Sequence, residues 1–362
     1  MGLEAIEWKT VTAALAADWV EMRAVADSRR ASSRGELLKS QYVLSEAEDE
    51  HGTTDLDTGD DGDGDDTIET EIANPQLEAW LNSVADELAF RAEALGDSYP
   101  FELEFHGEQW TLRYVGTDEV DNFAQFCYVL CLLVTAVRFG LIQSPPGVDG
   151  QSYAKDIDKC LQIVAYFAAA ELVRGEAYWF GWPRPDNSTK VRDAVNQLFT
   201  KMGVRGEPAE EPQWTHGREK DGGVDIVAWR NFGDGFPGRL ILFGQVASGR
   251  SDWKDKSVMT YVDSYFKEWL RPYEQRNYVP AHFIAWPQYI EEKVRKGKVD
   301  DYLTHRLHLH EKTLGLIIDR LRLTELTSQS VASKQPDQNI GEPEHVELIQ
   351  SWSSRILGVA RG

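Results

Sequence analysis

The spacing of apolar residues follows a helical period through the first half of the chain. Apolar side chains recur every three to five residues, as at Ile6, Val11 and Leu15, which is typical of helices with one buried face. The helices that this period predicts lie within 3–44 (two helices), 75–97, 122–140 and 153–175. Alternating apolar and polar residues over 101–116 predict a β-hairpin among them. The first half should therefore be mainly helical.

The pattern changes after the helix-breaking segment GWPRP at 181–185. From there, stretches with a helical period alternate with short apolar runs that are typical of buried strands. The predicted order is helix 189–203, strands 223–229 and 239–249, helix 257–273, strand 281–287, a basic helix and strand 314–323. An order of this kind predicts an α/β fold with a sheet at its centre.

The length of 362 residues allows two domains or one large domain with appendages. A hydrophobic content of 42% with 12 Trp, 13 Tyr and 14 Phe indicates a packed globular protein. We predict a mixed sheet flanked by helices, preceded by a mainly helical N-terminal domain. The expected divisions are N-terminal helices at 1–45, an acidic linker or loop at 46–73, a helical domain with a hairpin at 74–185, an α/β domain at 186–330 and a polar tail at 331–362.

The net charge of −22 at first argues against a nucleic-acid partner, because phosphate binding depends on Lys and Arg. However, the segment 46–71 holds thirteen of the 60 acidic residues and none of the 38 basic ones. Residues 213–330 contain eighteen Lys or Arg against sixteen Asp or Glu, so this region is compatible with DNA. The acidic segment lacks the ligand alternation of a calcium loop. A solvated linker is favoured over an arm that mimics DNA or inhibits the protein.

Three cysteines lie in apolar, helix-like segments: Cys127, Cys131 and Cys160. They form no CxxC pair and have no His at ligand spacing, so neither a disulfide framework nor a zinc site is indicated. The most apolar run, FCYVLCLLVTAV, is too short to cross a bilayer. The acidic, Trp-containing N-terminus is unlike a signal peptide. We expect a cytoplasmic protein.

The candidate catalytic and metal-binding residues lie around two predicted strands. The segment DGGVD at 221–225 runs into the apolar IVAW, and the following strand LILFG ends at Gln245. This arrangement resembles the PD-(D/E)xK superfamily of restriction-endonuclease-like nucleases, in which a helix supplies an acid, one strand an Asp, and the next strand a (D/E/Q)xK triplet. The resemblance covers about residues 186–290.

The resemblance implies a site for Mg²⁺ or Mn²⁺. Hard cations take oxygen ligands, and a metal-bound water is the usual nucleophile in phosphodiester hydrolysis. By analogy, the metal ligands would be Asp225, the side-chain carbonyl of Gln245, the backbone carbonyl of Val246, and Asp193 on the preceding helix. Glu171 and Glu176 are alternative helix acids, and each of these residues also has an ordinary structural interpretation.

The chain departs from the family at the lysine of the triplet, where it has Ala247. That lysine stabilises charge on the phosphate or orients the attacking water. Three cations follow within nine residues, and we expect one of them to substitute, Lys256 before Lys254 or Arg250.

Two further segments contain histidines that could suggest metal ligands or a run of basic residues. His305, His308 and His310 lie on one predicted helix, but spacings of three and two do not direct all three rings to one point. A solvated or DNA-facing helix is favoured. Four Lys or Arg within 293–298 could contact phosphate, although a charged helix surface explains them nearly as well.

The resemblance implies a metal-dependent endonuclease acting on DNA, as the effector of a prokaryotic restriction or anti-phage system with protein partners. The alternative is a nuclease-like fold that has lost cleavage and serves as a binding or scaffolding subunit. Ala247 and the overall acidity favour this alternative. A serine or cysteine hydrolase is set aside, because the chain has no GxSxG segment and no paired Cys and His.

Overall fold

The computed structural model describes residues 3–41, 74–116, 122–142, 150–182, 184, 190–204, 223–234, 238–251, 253–263, 278–292, 301–333 and 343–361. The acidic segment 46–71, Asp221, Gly222 and the basic run 293–298 lie outside these residues. None of the helices in the described ranges is long and apolar enough to cross a membrane.

Ten helices are present in the described ranges. They are α1 (Ala13–Ala26), α2 (34–41), α3 (Pro75–Leu95), α4 (Phe123–Arg138), α5 (Gly150–Leu172), α6 (Val191–Met202), α7 (Val258–Tyr261), α8 (Asp301–Leu314), α9 (Arg320–Ser333) and α10 (Pro343–Arg361). Side-chain caps fix several ends. Asn74 accepts hydrogen bonds from Gln76 N and Leu77 N and is followed by Pro75, a pairing that favours a helix start.

The first half contains a small antiparallel sheet. Strands β1 (Ala31–Ser33), β2 (Phe101–His106) and β3 (Gln109–Tyr114) form it in the order β1-β3-β2. The β2–β3 hairpin confirms the prediction for 101–116. Strand β1 lies in the region where only two helices were expected.

The second sheet has five strands in sequence order, β4-β5-β6-β7-β8. The strands are β4 (Glu176–Trp179), β5 (Ile226–Asn231), β6 (Arg239–Ala247), β7 (Val279–Ile284) and β8 (Leu316–Ile318). Strands β4 to β6 are antiparallel, whereas β6, β7 and β8 are parallel. The α/β class and the mixed sheet are confirmed.

Helices cover both faces of this sheet. Helix α5 contacts β4, β5 and β6 on one face. On the other face, α6 and α7 form a small apolar cluster with residues such as Val227, Trp229 and Phe243. The alternation of side chains along a strand separates these two faces.

The main apolar core crosses the expected domain boundary between residues 185 and 186. It includes side chains from α1, α3, α4 and α5 together with the α5 face of the five-stranded sheet. Helix α9 packs on α4 and α5. The two expected domains therefore share one core.

The C-terminal region also differs from expectation. Residues 343–361, predicted to be part of a polar tail, form α10, and its Trp352 and Ile356 are buried in the main core. The strand expected over 314–323 is limited to β8, because α9 begins at Arg320.

Candidate functional site at the ends of strands β5 and β6

Asp225 lies at an irregular point directly before β5. Its N–H donates to Gly244 O at 2.9 Å, and its carbonyl accepts from both Phe180 N and Gly181 N, at 2.8 and 2.7 Å. Two donors from adjacent residues on one carbonyl are typical of a β-bulge, and here the bulged residues are Phe180 and Gly181, opposite Asp225. The backbone of three neighbouring strands thus meets at Asp225.

The Asp225 carboxylate is 7% exposed and faces α5. Oδ2 accepts from Val246 N–H at 2.7 Å, and Oδ1 accepts from Gln162 Nε2 at 3.4 Å. The side-chain oxygen of Gln162 accepts in turn from the indole of Trp179. Gln162 therefore connects α5, β4 and β5 at this point. No sequence motif singled out this residue.

A second carboxylate lies one helical turn earlier on α5. Asp158 is hydrogen-bonded to Ser248, just beyond the end of β6, and pairs with Arg138 at 3.0 Å. Residues four apart lie on the same helix face, so Asp158 and Gln162 approach the ends of β5 and β6 together.

Asp193, the expected helix acid, has a different position. It lies on the exposed side of α6, opposite the buried face formed by Val191, Ala194 and Val195. That buried face packs on the sheet face away from α5. The helix residue that contacts Asp225 is therefore Gln162 of α5, and Asp193 points towards solvent.

Gly223 shows why the DGGVD segment needs a glycine at its third position. Its φ is +72°, a region that L side chains rarely adopt, and the ring of Tyr261 packs where a Cβ would stand. A glycine beside a binding site can also leave space for a ligand to approach the backbone. In the structure, the aromatic ring of Tyr261 occupies that space.

Gln245 lies on the face of the sheet opposite to Asp225. Its neighbour Gly244 packs against Phe283 and Ile226 on the α5 side, so the pleat directs Gln245 to the other side. There it pairs in register with His282 of β7. In this arrangement, Asp225 and Gln245 are therefore not placed to bind one cation together, as the resemblance implied.

Gln245 and His282 nevertheless form an unusual pair. Gln245 Oε1 is buried and accepts no hydrogen bond from the described residues. His282 is fully buried, and neither ring nitrogen makes a well-formed hydrogen bond within the described part of the chain. Buried polar atoms in proteins are almost always paired with protein groups, water or ligands, so a water molecule or a ligand could bond to this pair.

The environment keeps His282 neutral. Burial and, to a smaller extent, the nearby Lys256 ammonium lower the pKa of its imidazole to about 4, against an opposing effect of the Trp253 backbone. The ring of Trp253 lies 6.0 Å from that of His282. Lys256, the expected substitute lysine, is therefore on the Gln245 and His282 side of the sheet.

The other two expected cations are held elsewhere. Arg250 Nε lies 3.1 Å and Lys254 Nζ 3.8 Å from the two carboxylate oxygens of Glu291. Ala247, at the usual position of the lysine, is fully buried in the main core.

The donor set fits a hard cation only in part. Because the N–H and C=O of one strand residue face the same neighbouring strand, the Val246 carbonyl faces β5 and Asp225. Together with the unpartnered Gln245 oxygen, these are oxygen donors of the type that Mg²⁺ prefers. No group of three or more His, Cys, Asp or Glu side chains able to share a metal occurs in the described part of the chain, and this includes the histidines of α8.

Comparisons with known proteins found no relative of this chain. No family model, curated protein or solved structure matches this chain. The functional argument therefore depends on the residues themselves.

Proposed function

We propose that the protein is a metal-dependent endonuclease of the PD-(D/E)xK type, which hydrolyses DNA with Mg²⁺ or Mn²⁺. The mixed sheet supports this proposal, since an antiparallel β5–β6 pair precedes a helical segment and a parallel β7. Its place in a prokaryotic restriction or anti-phage system, with protein partners, follows from the sequence resemblance alone.

One observation carries the proposal. The Asp225 carboxylate lies 2.7 Å from the Val246 N–H, so two of the residues that the resemblance assigns to the metal adjoin each other at the ends of β5 and β6. Hard cations take oxygen ligands of the kind that the Asp225 carboxylate and the Val246 carbonyl offer.

The residues of the chain have separate roles in this proposal. Asp225 and the Val246 carbonyl would hold the cation on the β5 side. The cation would act as a Lewis acid and lower the pKa of a water molecule. Gln245 and Lys256 lie on the opposite face of the sheet and would not contact this cation. Asp193, exposed on α6, takes no part.

Plasmid nicking tests the proposal. The full chain is incubated with supercoiled plasmid in Mg²⁺, in Mn²⁺ and in EDTA, beside Asp225→Asn and Gln245→Leu. Nicking that needs the metal and falls at least about 100-fold in Asp225→Asn supports the site. The matched control is Glu104→Gln, a half-exposed residue of β2. Nicking that survives in Asp225→Asn would refute the assignment of the site.

A second candidate function is a nuclease-like binding or scaffolding subunit without cleavage. Ala247 favours it, as does the pairing of Arg250 and Lys254 with Glu291. Absence of nicking in both metals, combined with no heat of Mn²⁺ binding in calorimetry, would decide for this candidate.

A further inference from the structure

The loop after β6 and the loop after β7 are joined by a three-residue ion pair. Glu291 places one carboxylate oxygen 3.1 Å from Arg250 Nε and the other 3.8 Å from Lys254 Nζ. We propose that Arg250 and Lys254 form a clamp for a backbone phosphate of DNA, and that Glu291 occupies this clamp when DNA is absent. This inference rests on the proposed function, since it takes DNA as the substrate.

Aromatic rings position both cations. The Arg250 guanidinium lies 4.5 Å from the centroid of the Phe139 ring, and Lys254 Nζ lies 5.2 Å from that of Trp253. Both rings are almost fully buried. Stacking of this kind restrains a long cationic side chain, so the two charges stay in place whether or not Glu291 lies between them.

Glu291 is also held, because its loop is anchored to the helical half of the protein. Tyr289 donates to Glu87 of α3 at 3.0 Å, and the Thr12 hydroxyl donates to Ile290 O. Arg320 of α9 donates to Ala285 O at 3.0 Å. These contacts hold the backbone that carries the Glu291 carboxylate in place.

The exposure of the three groups suits competition by a phosphate. The side chains of Arg250, Lys254 and Glu291 are 49%, 33% and 36% exposed. Solvent-exposed ion pairs are weak and screened by salt. A phosphodiester offers a similar pair of anionic oxygens to a guanidinium fork, and it can replace the carboxylate without rearranging the cations.

The location relates the clamp to the candidate site. Arg250 and Lys254 follow the end of β6 within seven residues of Ala247. A phosphate bound there would lie beside the Gln245 and His282 pair, since Trp253 contacts His282 and neighbours Lys254. The strongly acidic chain would otherwise repel DNA, and Glu291 adds to this repulsion until a phosphate displaces it.

Binding of a fluorescein-labelled, mixed-sequence DNA duplex tests the clamp. Anisotropy is measured in EDTA, so that no cleavage occurs, for the full chain, Glu291→Gln, Glu104→Gln and the triple variant Glu291→Gln with Arg250→Ala and Lys254→Ala. We expect Glu291→Gln to bind about five- to tenfold more tightly. Glu104→Gln makes the same change in net charge at a half-exposed residue that pairs with Arg113 of β3, and it should change affinity less than twofold.

The salt dependence identifies the contact. Each phosphate contact made by a cation adds about 0.9 to the slope of log Kd against log salt. The slope should be about one to two units steeper in Glu291→Gln than in the triple variant. Equal affinities for Glu291→Gln and Glu104→Gln would overturn the clamp.

The two proposals fail separately. Tighter binding by Glu291→Gln without plasmid nicking by any variant would keep the clamp and reject the nuclease. Metal-dependent nicking without a change in affinity would keep the nuclease and reject the clamp. Thermal unfolding of each variant verifies that its fold is intact.

Discussion

Two buried polar groups in this protein differ in how their hydrogen bonds are satisfied. The first is a cluster of ions in the helical half, called here the buried ion cluster: Asp18, Glu21, Arg91 and Arg320. All four side chains are fully buried. Arg320 binds Asp18 through two bonds of 2.8 and 2.7 Å, and Arg91 bridges Asp18 and Glu21 at 2.7 and 2.9 Å.

Tyrosines complete the buried ion cluster. Tyr99 and Tyr128 each donate to Glu21 at 2.7 Å. Burial alone would raise the pKa of Asp18, but Arg320 and Arg91 lower it below its ordinary value. The cluster joins α1, α3 and α9, so it holds the N-terminal helices against a helix that follows the sheet.

The second group, Gln245 and His282, is also buried but has unpaired atoms. The comparison distinguishes two roles of buried polar groups. A group that is fully paired within the protein stabilises one arrangement of the chain. A group that is left unpaired stores an unfavourable energy that a ligand can recover.

The largest expected effect is on the buried ion cluster. Arg320→Met leaves Asp18 buried without its two bonds to Arg320, and removal of one partner of a buried pair costs about 3–5 kcal/mol. We expect the free energy of unfolding to fall by that amount in urea denaturation.

An exposed arginine provides the matched control. Arg29 makes ion pairs of 2.9 and 2.6 Å with Asp27 and Glu36, but its side chain is 68% exposed. Arg29→Met should change the free energy of unfolding by at most about 1 kcal/mol, because water screens such pairs. A similar loss in both variants would show that burial is not the cause.

The fold could be predicted where the apolar period was long and regular. The helices near 75–97 and 122–140 and the β2–β3 hairpin were found, since one face of each is apolar. The short strands β1 and β4 were missed, because three or four residues give too little periodicity. The helix α10 was read as a tail, although Trp352 and Ile356 lie on its buried face.

Of the candidate site, only the residues on the strands could be predicted from the sequence. The sequence placed Asp225 and Gln245 correctly at the ends of adjacent strands. It could not show the β-bulge opposite Asp225, nor that Asp225 faces α5 while Gln245 faces the other side of the sheet. Gln162, His282 and Glu291 were missed because each comes near the site only through tertiary packing.

A smaller effect is expected in the pH dependence of stability. The pKa of His282 is about 4 in the folded protein, against an ordinary value of 6.5. The folded state therefore excludes a proton that the unfolded chain accepts, so stability present above pH 6.5 is lost as the pH falls towards 4.

Denaturation in EDTA at pH 7 and pH 4.5 measures this effect. The wild-type protein should lose about 2 kcal/mol more than His282→Met between these values. The exposed His106 supplies the control, since His106→Met should lose as much as the wild type. Equal losses in all three proteins would contradict a buried neutral imidazole.

The smallest effect has the opposite sign to the first. Gln245→Leu removes a buried acceptor that has no donor, and loss of such a group relieves an unfavourable desolvation of about 1–2 kcal/mol. We expect the variant to be as stable as the wild type or more stable by that amount. The matched control is Gln41→Leu, because Gln41 is also buried but fully paired: it accepts from Trp8 N at 2.7 Å and donates to Leu37 O at 3.3 Å. That variant should lose about 1–3 kcal/mol. If both glutamine variants lose stability to the same degree, the oxygen of Gln245 is paired in solution and does not indicate a ligand site.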